Sequence, residues 1–349
     1  MTDKVSPVGL SGHAAVICGL GAWLPPRVVT NADLHARLGT SEEWIHKRTG
    51  ISSRHVALPG MATSDLAVEA GARALKSAGG GEVQALVLAT TTPDRPCPAT
   101  APEVASRLGM TGIAAFDISA VCTGFLYGLA TAAGFIAAGL ADRVLLIAAE
   151  TFSTLLDPED RTTVPIFGDG AGALVLRRGT AAEPGAIGQV LLGSDGELSD
   201  LIAVEAGGSR QRSAGRAPTV EEKYFRMQGR EVFRHAVERM SAAASAAVEA
   251  AGWRLEEVDR LVAHQANARI TSSVASELGI PPDRRAQNIE HVGNTAAASV
   301  PILLAQATAG GYLAPGHRVL LTAFGGGLTW GATTVVWPEL ESVSLADEP

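Results

Sequence analysis

Cys122 is the residue of this 349-residue chain whose setting best suits nucleophilic chemistry. It follows a β-type run that ends near Ser119, and a helical pattern begins at Cys122 itself. The buried face of that helix is predicted from Phe125, Leu126 and Leu129, at i+3, i+4 and i+7. A thiol in the first turn of a buried helix lies at the positive end of the helix dipole, which favours the thiolate. A small buried core cysteine is the other interpretation, and this stretch alone does not decide between them.

Two neutral polar side chains further along the chain could assist such a nucleophile. His264 ends a predicted strand in DRLVAHQANARI, and α/β folds keep their sites at the carboxyl ends of strands. Asn294 lies in a glycine-introduced turn before an alanine-rich helix, in HVGNTAAASVP. Taken singly, His264 is explained as a hydrogen-bonded core histidine and Asn294 as a helix N-cap. Taken with Cys122, they supply a thiol nucleophile and two neutral hydrogen-bond donors.

This set of three suits acyl transfer followed by a decarboxylative condensation. Cys122 would accept an acyl group as a thioester. A malonyl thioester would then lose carbon dioxide, and His264 and Asn294 would stabilise the charge that develops on its thioester oxygen. No strong base is needed, because decarboxylation itself produces the carbanion. A second oxyanion hole is expected from the backbone amides of Cys122 and of the run Phe324-Gly325-Gly326-Gly327, with Gly326 as the glycine donor.

Short apolar runs alternate with alanine-rich amphipathic segments, and this alternation favours an α/β fold with helices covering sheets. A first strand is predicted in residues 14–24. Further strands are predicted at Ala85–Thr90, Val144–Ala148, Ala171–Leu176, Arg260–His264, Val319–Ala323 and Ala332–Trp337. Helices are predicted at Ser64–Ser77, Ala101–Leu108, Cys122–Ala138, Val232–Ala251, Ala268–Leu278 and Thr295–Ala309. The glycine- and arginine-rich stretch Gly207–Thr219 is predicted to be a mobile loop.

A weak internal repeat accompanies this alternation. When Gly79 is aligned with Gly252, each follows a helical pattern and precedes a strand. Cys122 lies 43 residues beyond the first glycine and Asn294 lies 42 residues beyond the second. We therefore predict two similar halves, residues 1–184 with Cys122 and residues 185–349 with His264 and Asn294. In this prediction Cys122 and Asn294 occupy equivalent helix starts.

Composition excludes several other classes of protein. Hydrophobic residues make up 46% and charged residues 18%, which indicates a large buried core and not disorder. The net charge of −8 shows no excess of basic residues of the kind that nucleic-acid-binding proteins carry. Three cysteines without CxxC spacing form neither a disulfide framework nor a zinc site, and they fit a reducing cytoplasm. No uninterrupted apolar stretch of about eighteen residues is present, so no membrane span is predicted.

Taken in order, the motifs resemble those of the β-ketoacyl-acyl carrier protein synthase III family over nearly the whole chain. The matching segments are EEWIHKRTGISSRH, FDISAVCTGF, DPEDRTTVPIFGDGAGALVL, HQANARI, HVGNTAAASVP and AFGGGLTWGA. The resemblance implies a thiolase-like α/β fold of two fused halves in five αβαβα layers, and a homodimer. It also implies an acyltransferase that condenses an acyl-CoA starter with malonyl-acyl carrier protein and so initiates fatty-acid or related chain synthesis.

The resemblance makes Cys122, His264 and Asn294 the catalytic trio. It also implies a coenzyme A site, in which Trp44 and Arg161 would enclose the adenine. The remaining residues that it assigns to coenzyme A are Arg48, near the adenine, and Asn267, which would help to bind the pantetheine arm. Coenzyme A thioesters are then substrates, and neither a cofactor nor a metal is expected.

The acyl pocket and the protein partner are assigned in the same way. Ile166 and Phe167 would line the acyl pocket, and Phe324 would shield the active site and promote decarboxylation. Arg269 and Arg234 would meet the acidic acyl carrier protein. The expected partners are therefore acyl-CoA, malonyl-acyl carrier protein and a second copy of the chain, with no nucleic acid and no membrane.

Cys97 is the main departure from the family pattern. In TTTPDRPCPATAP it stands where the family has a bulky aromatic residue before a proline. In the dimer that position reaches the acyl pocket of the partner. A smaller side chain leaves room there, so acyl chains longer than acetyl are expected to bind. A second departure, GNTAAAS for the usual GNTSAAS, is mild.

Related activities remain as alternatives. A starter-unit priming ketosynthase of a polyketide or other secondary pathway would keep every motif found here. An acyltransferase that forms no carbon–carbon bond would have no need of Asn294. Elongating ketosynthases pair the cysteine with two histidines, and degradative thiolases carry a second cysteine near the C-terminus, which this chain lacks. Plant-type polyketide synthases have GFGPG where this chain has AFGGGLTWG.

Overall fold

The computed structural model describes residues 13–340. The strands are, in chain order, β1 (Ala14–Trp23), β2 (Arg27–Thr30), β3 (Ser53–Val56), β4 (Ala85–Ala89), β5 (Ala114–Ile118), β6 (Arg143–Glu150), β7 (Gly170–Gly179), β8 (Leu191–Ser194), β9 (Ile202–Ala203), β10 (Arg226–Met227), β11 (Arg260–Ala263), β12 (Arg318–Gly325) and β13 (Thr329–Val336). The helices are α1 (Asn31–Leu38), α2 (Glu42–Thr49), α3 (Thr63–Ser77), α4 (Ala101–Arg107), α5 (Gly124–Ala137), α6 (Ser209–Ser213), α7 (Gly229–Ala250), α8 (Ala268–Glu277), α9 (Ile289–Val292) and α10 (Ser299–Ala309).

The first large sheet has the strand order β1-β7-β6-β4-β5. Strands β6, β4 and β5 run parallel, whereas β1 and β7 are antiparallel to their neighbours. Every residue of β4 is buried, because helices cover both faces of the sheet. Leu86 and Leu88 pack on the side of α3 and α4, and the alternate residues Ala85 and Val87 pack on the side of α5 and α10.

The second large sheet has the order β11-β12-β13-β8 and repeats this design. Strands β11 and β12 are parallel, and the other pairings are antiparallel. Helices α7 and α8 cover its outer face, and α5 and α10 lie between the two sheets. An isolated parallel bridge between Leu261 and Arg285 occupies the edge where β5 lies in the first sheet. The predicted five-layer α/β arrangement of two similar halves is therefore confirmed.

The two helices that meet at the centre begin later than predicted. A 3₁₀ turn, Val121–Thr123, precedes α5, and a second one, Ala296–Ala298, precedes α10. Both turns begin at a non-glycine residue with positive φ, 46° at Val121 and 45° at Ala296. These two residues are therefore equivalent, and the structural counterpart of Cys122 is Ala297.

The predicted equivalence of Cys122 and Asn294 is consequently wrong. Val121 lies 42 residues beyond Gly79, whereas Ala296 lies 44 residues beyond Gly252. The second half has two more residues before its turn, so Asn294 lies ahead of the turn and not in it. The glycine alignment itself agrees with the structure, because Gly79 and Gly252 both follow their helices with positive φ.

Gly207–Thr219 was predicted to be a loop, but it contains the short helix α6. Within the segment the Gln211 amide donates to the Arg216 carbonyl at 3.2 Å, and Arg216 forms an ion pair with Glu222, just beyond the segment. Among the described residues, no helix is both long enough and apolar enough to cross a bilayer.

Candidate active site

Cys122 lies in the middle of the first 3₁₀ turn, at the centre of the molecule where the two halves meet. Its side chain is buried, at 9% exposure. The backbone of Gly325, at the end of β12, packs directly against it. A Cβ atom on Gly325 would lie 2.8 Å from the Cys122 backbone nitrogen, so only glycine fits there. The amide of the following residue, Gly326, remains the candidate second donor of the oxyanion hole.

His264 directly follows β11 and is held by a backbone hydrogen bond to the Thr322 carbonyl at 2.9 Å. Its Nδ1 lies 3.0 Å from Ser299 Oγ, at the start of α10. The ring is almost fully buried, and this burial lowers the pKa of His264 to about 3. The imidazole is therefore neutral at physiological pH and carries a single ring hydrogen.

Asn294 is fixed by both its backbone and its side chain. Its backbone N–H donates to the Ile166 carbonyl at 2.9 Å, and its own carbonyl accepts from Gly168 N–H at 2.9 Å. Its side-chain Oδ1 accepts the Ala296 N–H at 2.9 Å. This contact resembles an N-cap, but the N-cap residue of the 3₁₀ turn is Thr295, one residue later, and its side chain makes no capping hydrogen bond. The contact with Ala296 fixes the orientation of the amide, and the Nδ2 hydrogens are the donors that it can offer to a ligand.

Cys122, His264 and Asn294 line one cavity of about 40 Å³, together with Phe324. The rest of the wall is apolar and includes Val232, Met240 and Ile270, among others. The three predicted catalytic residues are thus brought together in a site that excludes bulk water. In such a site a hydrogen-bond donor interacts more strongly with a developing negative charge than it would in water.

Three phenylalanine rings close one side of this cavity. Phe152 stacks on Phe167 with ring centroids 4.4 Å apart, and Phe225 meets both rings edge-on at 5.1 and 5.0 Å. Phe167 was predicted to line the acyl pocket and does line the cavity. Ile166 does not line it, but packs against the same apolar cluster. Phe152 and Phe225 were missed, because neither lies in a segment that carries a chemical motif.

The resting thiol differs from the thiolate expected at a helix start. Burial, and secondarily the nearby Glu150 carboxylate, raise the pKa of Cys122 well above its ordinary value, although a backbone hydrogen bond at Cys122 lowers it. Among the described residues no hydrogen bond joins Cys122 Sγ to His264, so no imidazole–thiolate pair is formed. Desolvation is the largest influence on this pKa and favours the protonated thiol, in contrast to the thiolate expected from the helix start.

Glu150, at the end of β6, is a buried carboxyl that sequence analysis missed. Its oxygens accept the Thr91 N–H at 3.1 Å and the Thr92 hydroxyl at 2.7 Å. Burial raises the pKa of Glu150 to about 7, and among the described residues no basic side chain pairs with it. An acidic residue at the end of the apolar run VLLIAAE was the signal that could have identified it.

The predicted coenzyme A residues form a second cluster at the surface. The Arg48 guanidinium lies 4.4 Å from the centre of the Trp44 ring, and that of Arg161 lies 5.7 Å from it. The Asn267 side-chain amide donates to the Arg48 carbonyl at 3.1 Å. Asn267 is also the N-cap of α8, three residues after His264, so this cluster is connected directly to the buried site.

The remaining predicted residues lie outside the cavity. Cys97 is exposed in the single chain. Arg234 and Arg269 are also exposed; Arg234 pairs with Glu231 at 2.9 Å, and Arg269 lies 5.9 Å from the Phe233 ring centre. These two arginines thus share one surface, formed by the first turns of α7 and α8.

Comparisons with known proteins identify the family of this chain. Residues 116–196 match the family profile for 3-oxoacyl-[acyl-carrier-protein] synthase III, and residues 248–337 match that for the C-terminal part of the same enzyme. The chain is 58% identical to β-ketoacyl-[acyl-carrier-protein] synthase III 3 of Streptomyces coelicolor, over 95% of this chain and 99% of that protein. It is 50% identical to β-ketoacyl-[acyl-carrier-protein] synthase III of Pseudomonas aeruginosa strain LESB58, over 94% of this chain and 98% of that protein.

Solved structures show the same likeness. The crystal structure of 3-oxoacyl-(acyl carrier protein) synthase III from Pseudomonas aeruginosa PAO1 superposes with a TM-score of 0.88 at 48% identity, covering 94% of this chain and 99% of that one. The priming β-ketosynthase of the R1128 polyketide biosynthetic pathway gives a TM-score of 0.87 at 32% identity, covering 93% and 97%. The chain has the thiolase-like fold and belongs to the β-ketoacyl-acyl carrier protein synthase III family of condensing acyltransferases.

Proposed function

We propose that the protein condenses an acyl-CoA starter with malonyl-acyl carrier protein, with loss of carbon dioxide, to give a 3-oxoacyl-acyl carrier protein. The observation that carries this proposal is the shared cavity of Cys122, His264 and Asn294. A neutral imidazole and an amide whose orientation is fixed are suited to donate hydrogen bonds to an enolate. They are poorly suited to abstract a proton.

In the first half-reaction Cys122 Sγ loses its proton and attacks the acyl-CoA carbonyl, and the carbon–sulfur bond to coenzyme A breaks. Coenzyme A takes up a proton and leaves as the thiol, and an acyl thioester remains on Cys122. In the second, malonyl-acyl carrier protein binds and its carboxylate leaves as carbon dioxide, which places negative charge on the thioester oxygen. His264 and Asn294 stabilise that oxygen. The carbanion then attacks the acyl carbonyl, the amides of Cys122 and Gly326 bind the resulting oxyanion, and the Cys122 thiolate is expelled.

The two half-reactions can be separated by substitution. We expect Asn294→Ala and His264→Ala to lower malonyl decarboxylation and condensation by about 10²–10³-fold, since each removes one oxyanion donor. Acylation of Cys122 by acyl-CoA should persist in both variants, and peptide mass mapping should find the acyl group on no other cysteine. Asn288→Ala serves as the control, because Asn288 donates to Gln306 and does not line the cavity. Condensation at the parent rate by Asn294→Ala would refute the assigned role.

Coenzyme A is proposed to bind at the surface cluster, with its adenine enclosed by Trp44 and Arg161 and with Arg48 nearby. The support is the positive charge around an aromatic face, at the spacing of cation–π contacts. Asn267 would hold the pantetheine arm between this cluster and the cavity, and Phe324 would shield the acyl group. No cofactor takes part in the proposed reaction. Thioester substrates and three free cysteines suit a cytoplasmic enzyme.

The carrier protein is proposed to dock on the surface formed by Arg234 and Arg269. These exposed charges stand out on a chain whose net charge is −8. Charge reversal of both residues should raise the apparent KM for malonyl-acyl carrier protein and weaken its salt dependence, while acylation by acyl-CoA stays near the parent rate. Arg254→Glu, an exposed reversal beyond the end of α7, is the matched control. Equal damage to both half-reactions would contradict the assignment.

We also propose that two copies associate through β5. This strand is the last of its sheet, its residues are partly exposed, and β4 is its only strand partner within the described chain. An edge strand presents unpaired backbone groups that a second strand can satisfy. Sedimentation of the purified protein should therefore give twice the mass of the chain, and Phe116→Lys on β5 should shift it towards the single-chain mass.

A second candidate function is the priming of a polyketide or related pathway. The observation in its favour is the likeness to the R1128 priming β-ketosynthase. The chemistry would be the same, and the carrier protein would differ. Rates with carrier proteins from the two kinds of pathway, measured with one acyl-CoA, distinguish the candidates. Acyl transfer without release of carbon dioxide would refute both.

A further inference from the structure

Ser299 is the first residue of α10, and its hydroxyl contacts the Nδ1 side of the His264 ring. Oγ lies 3.0 Å from His264 Nδ1 and accepts the Gln265 N–H at 2.7 Å. Within the described chain these are the hydrogen bonds that this hydroxyl makes. The side chain is 2% exposed, so bulk water cannot supply another partner.

The hydrogen-bonding capacity of a serine decides which ring nitrogen of His264 carries the hydrogen. A hydroxyl has one hydrogen and two lone pairs, and the Gln265 N–H uses one lone pair. If Nδ1 carried the hydrogen, it would use the second lone pair, and the hydroxyl hydrogen would be buried without an acceptor. A buried hydroxyl hydrogen without an acceptor destabilises the folded protein. If Ser299 donates to Nδ1 instead, the hydroxyl, Nδ1 and the Gln265 N–H are all satisfied.

The second arrangement leaves the ring hydrogen on Nε2. His264 is neutral, so the two ring nitrogens cannot both carry a hydrogen. Nδ1 is engaged by Ser299, while the ring forms part of the wall of the Cys122 cavity. Nε2–H is therefore the hydrogen that the ring can offer to a ligand in that cavity.

We propose that Ser299 is a positioning residue for decarboxylation: its hydroxyl donates to Nδ1 and holds His264 as the tautomer that presents Nε2–H to the malonyl thioester oxygen. The catalytic consequence rests on the proposed function, whereas the tautomer does not. The neighbouring turn acts on Asn294 in the same way, because the Ala296 N–H donates to Oδ1 and fixes the orientation of the amide. One four-residue segment, 296–299, thus orients both donors.

The kinetic test compares Ser299→Ala with Ser299→Thr. The alanine variant loses control of the tautomer, and we expect condensation to fall about tenfold or more, short of the 10²–10³-fold loss of a whole donor. Acylation of the resting enzyme should change much less. Threonine keeps the hydroxyl and should restore most of the condensation rate. Thr308→Ala is the control, since it removes a hydroxyl from the same helix that bonds only to Leu304. Equal loss in both half-reactions of Ser299→Ala would overturn the proposal.

The spectroscopic test reads the tautomer directly. In protein labelled with ¹⁵N-histidine, the His264 signals, assigned by their loss in His264→Ala, should show a protonated Nε2 and an unprotonated Nδ1. Ser299→Ala should shift them towards a mixture of tautomers. A protonated Nδ1 in the parent protein, or an unchanged spectrum in Ser299→Ala, refutes the inference. This readout needs no substrate, so it decides the inference even if the protein fails to condense malonyl-acyl carrier protein and the proposed function falls.

A double variant separates positioning from a general structural effect. If Ser299 acts through the imidazole, Ser299→Ala should add no further loss of condensation to His264→Ala. If the two losses multiply, Ser299 acts on the site by some other route and the proposal is wrong.

Discussion

At the scale of single residues, the site is built from groups that are neutral at rest. Cys122 is a buried thiol, His264 a neutral imidazole and Asn294 an amide, and none of them forms an ion pair. Neutral donors stabilise a charge that appears only during the reaction, whereas a fixed positive charge would also bind the ground state. This suits a condensation in which the leaving carboxylate, and not a protein base, provides the carbanion.

The raised pKa of Cys122 leads to a prediction about its pH dependence. In a Cys97→Ser background, alkylation of Cys122 by iodoacetamide should accelerate steadily from pH 7 to pH 10 without a plateau near neutrality. The rate follows the thiolate fraction, and the raised pKa keeps that fraction small. Glu150→Gln removes the second cause of the shift and should move the profile to lower pH. Intact mass measures the rates, and a plateau already at pH 7 would show that a resting thiolate exists.

The identity of these residues could be predicted from the sequence, but their orientation could not. Cys122, His264 and Asn294 stand in motifs whose order is visible along the chain. The contacts that orient them, Ser299 to His264 and Ala296 to Asn294, depend on where α10 begins. That start lies beyond a 3₁₀ turn with positive φ at a non-glycine residue, which no local pattern predicts.

At the scale of elements, the predicted strands and helices agree with the structure to within a few residues. Long buried runs such as β6 and long amphipathic helices such as α7 carry strong periodic signals. Strands β8, β9 and β10 are two to four residues long and were missed, because so few residues show no period. The exact start of an element was not predictable, and this is why the equivalence of Cys122 and Asn294 failed.

Glu150, at the end of β6, forms hydrogen bonds with two other segments of the chain. It binds the segment after β4 through Thr91 and Thr92, and the Ala297 N–H of the second 3₁₀ turn also bonds to it. Its pKa in the folded protein, about 7, lies above its ordinary value of 4.5. The folded protein therefore holds a proton that the unfolded chain releases between these values. The contribution of Glu150 to the free energy of unfolding is therefore fully present below pH 4.5 and is lost as the pH rises through about 7.

Glu150→Gln should accordingly flatten the stability profile. The parent protein should lose on the order of 3 kcal/mol of unfolding free energy from this group between pH 4.5 and pH 8, at about 1.4 kcal/mol per pKa unit. The glutamine variant should lose much less over the same range. Thermal unfolding from pH 4.5 to pH 8 measures both. Glu103→Gln is the control, since Glu103 forms an exposed pair with Arg95. Parallel profiles of parent and Glu150→Gln would contradict the assigned cause.

At the scale of the whole molecule, two parts of the wall could set the size of the starter pocket. One is the set of aromatic rings within the chain, and the other is the Cys97 loop at the proposed dimer edge. In the single chain the cavity is small, about 40 Å³, and Phe152, Phe167 and Phe225 close one side of it. Cys97 does not reach this cavity. Its loop is nevertheless fixed next to the proposed dimer edge, because Asp117 on β5 accepts the Thr100 N–H and the Ala101 N–H at 2.7 Å each.

This arrangement makes the sequence-based expectation for Cys97 testable in the dimer. If the partner's Cys97 forms the end of the pocket, Cys97→Phe should lower the use of butyryl-CoA relative to acetyl-CoA. One methylene of fit is worth about 1–3 kcal/mol, so the ratio should move by tens of fold and not by many orders of magnitude. Phe225→Leu should act in the opposite direction, since it removes a ring from the wall within the same chain.

The measurement is the ratio of kcat/KM values for the two thioesters at saturating malonyl-acyl carrier protein. Cys97→Ser, which keeps the volume small, should leave that ratio near the parent value. If Cys97→Phe leaves the ratio unchanged while Phe225→Leu raises it, the aromatic rings alone set the starter length and the proposed role of Cys97 is wrong.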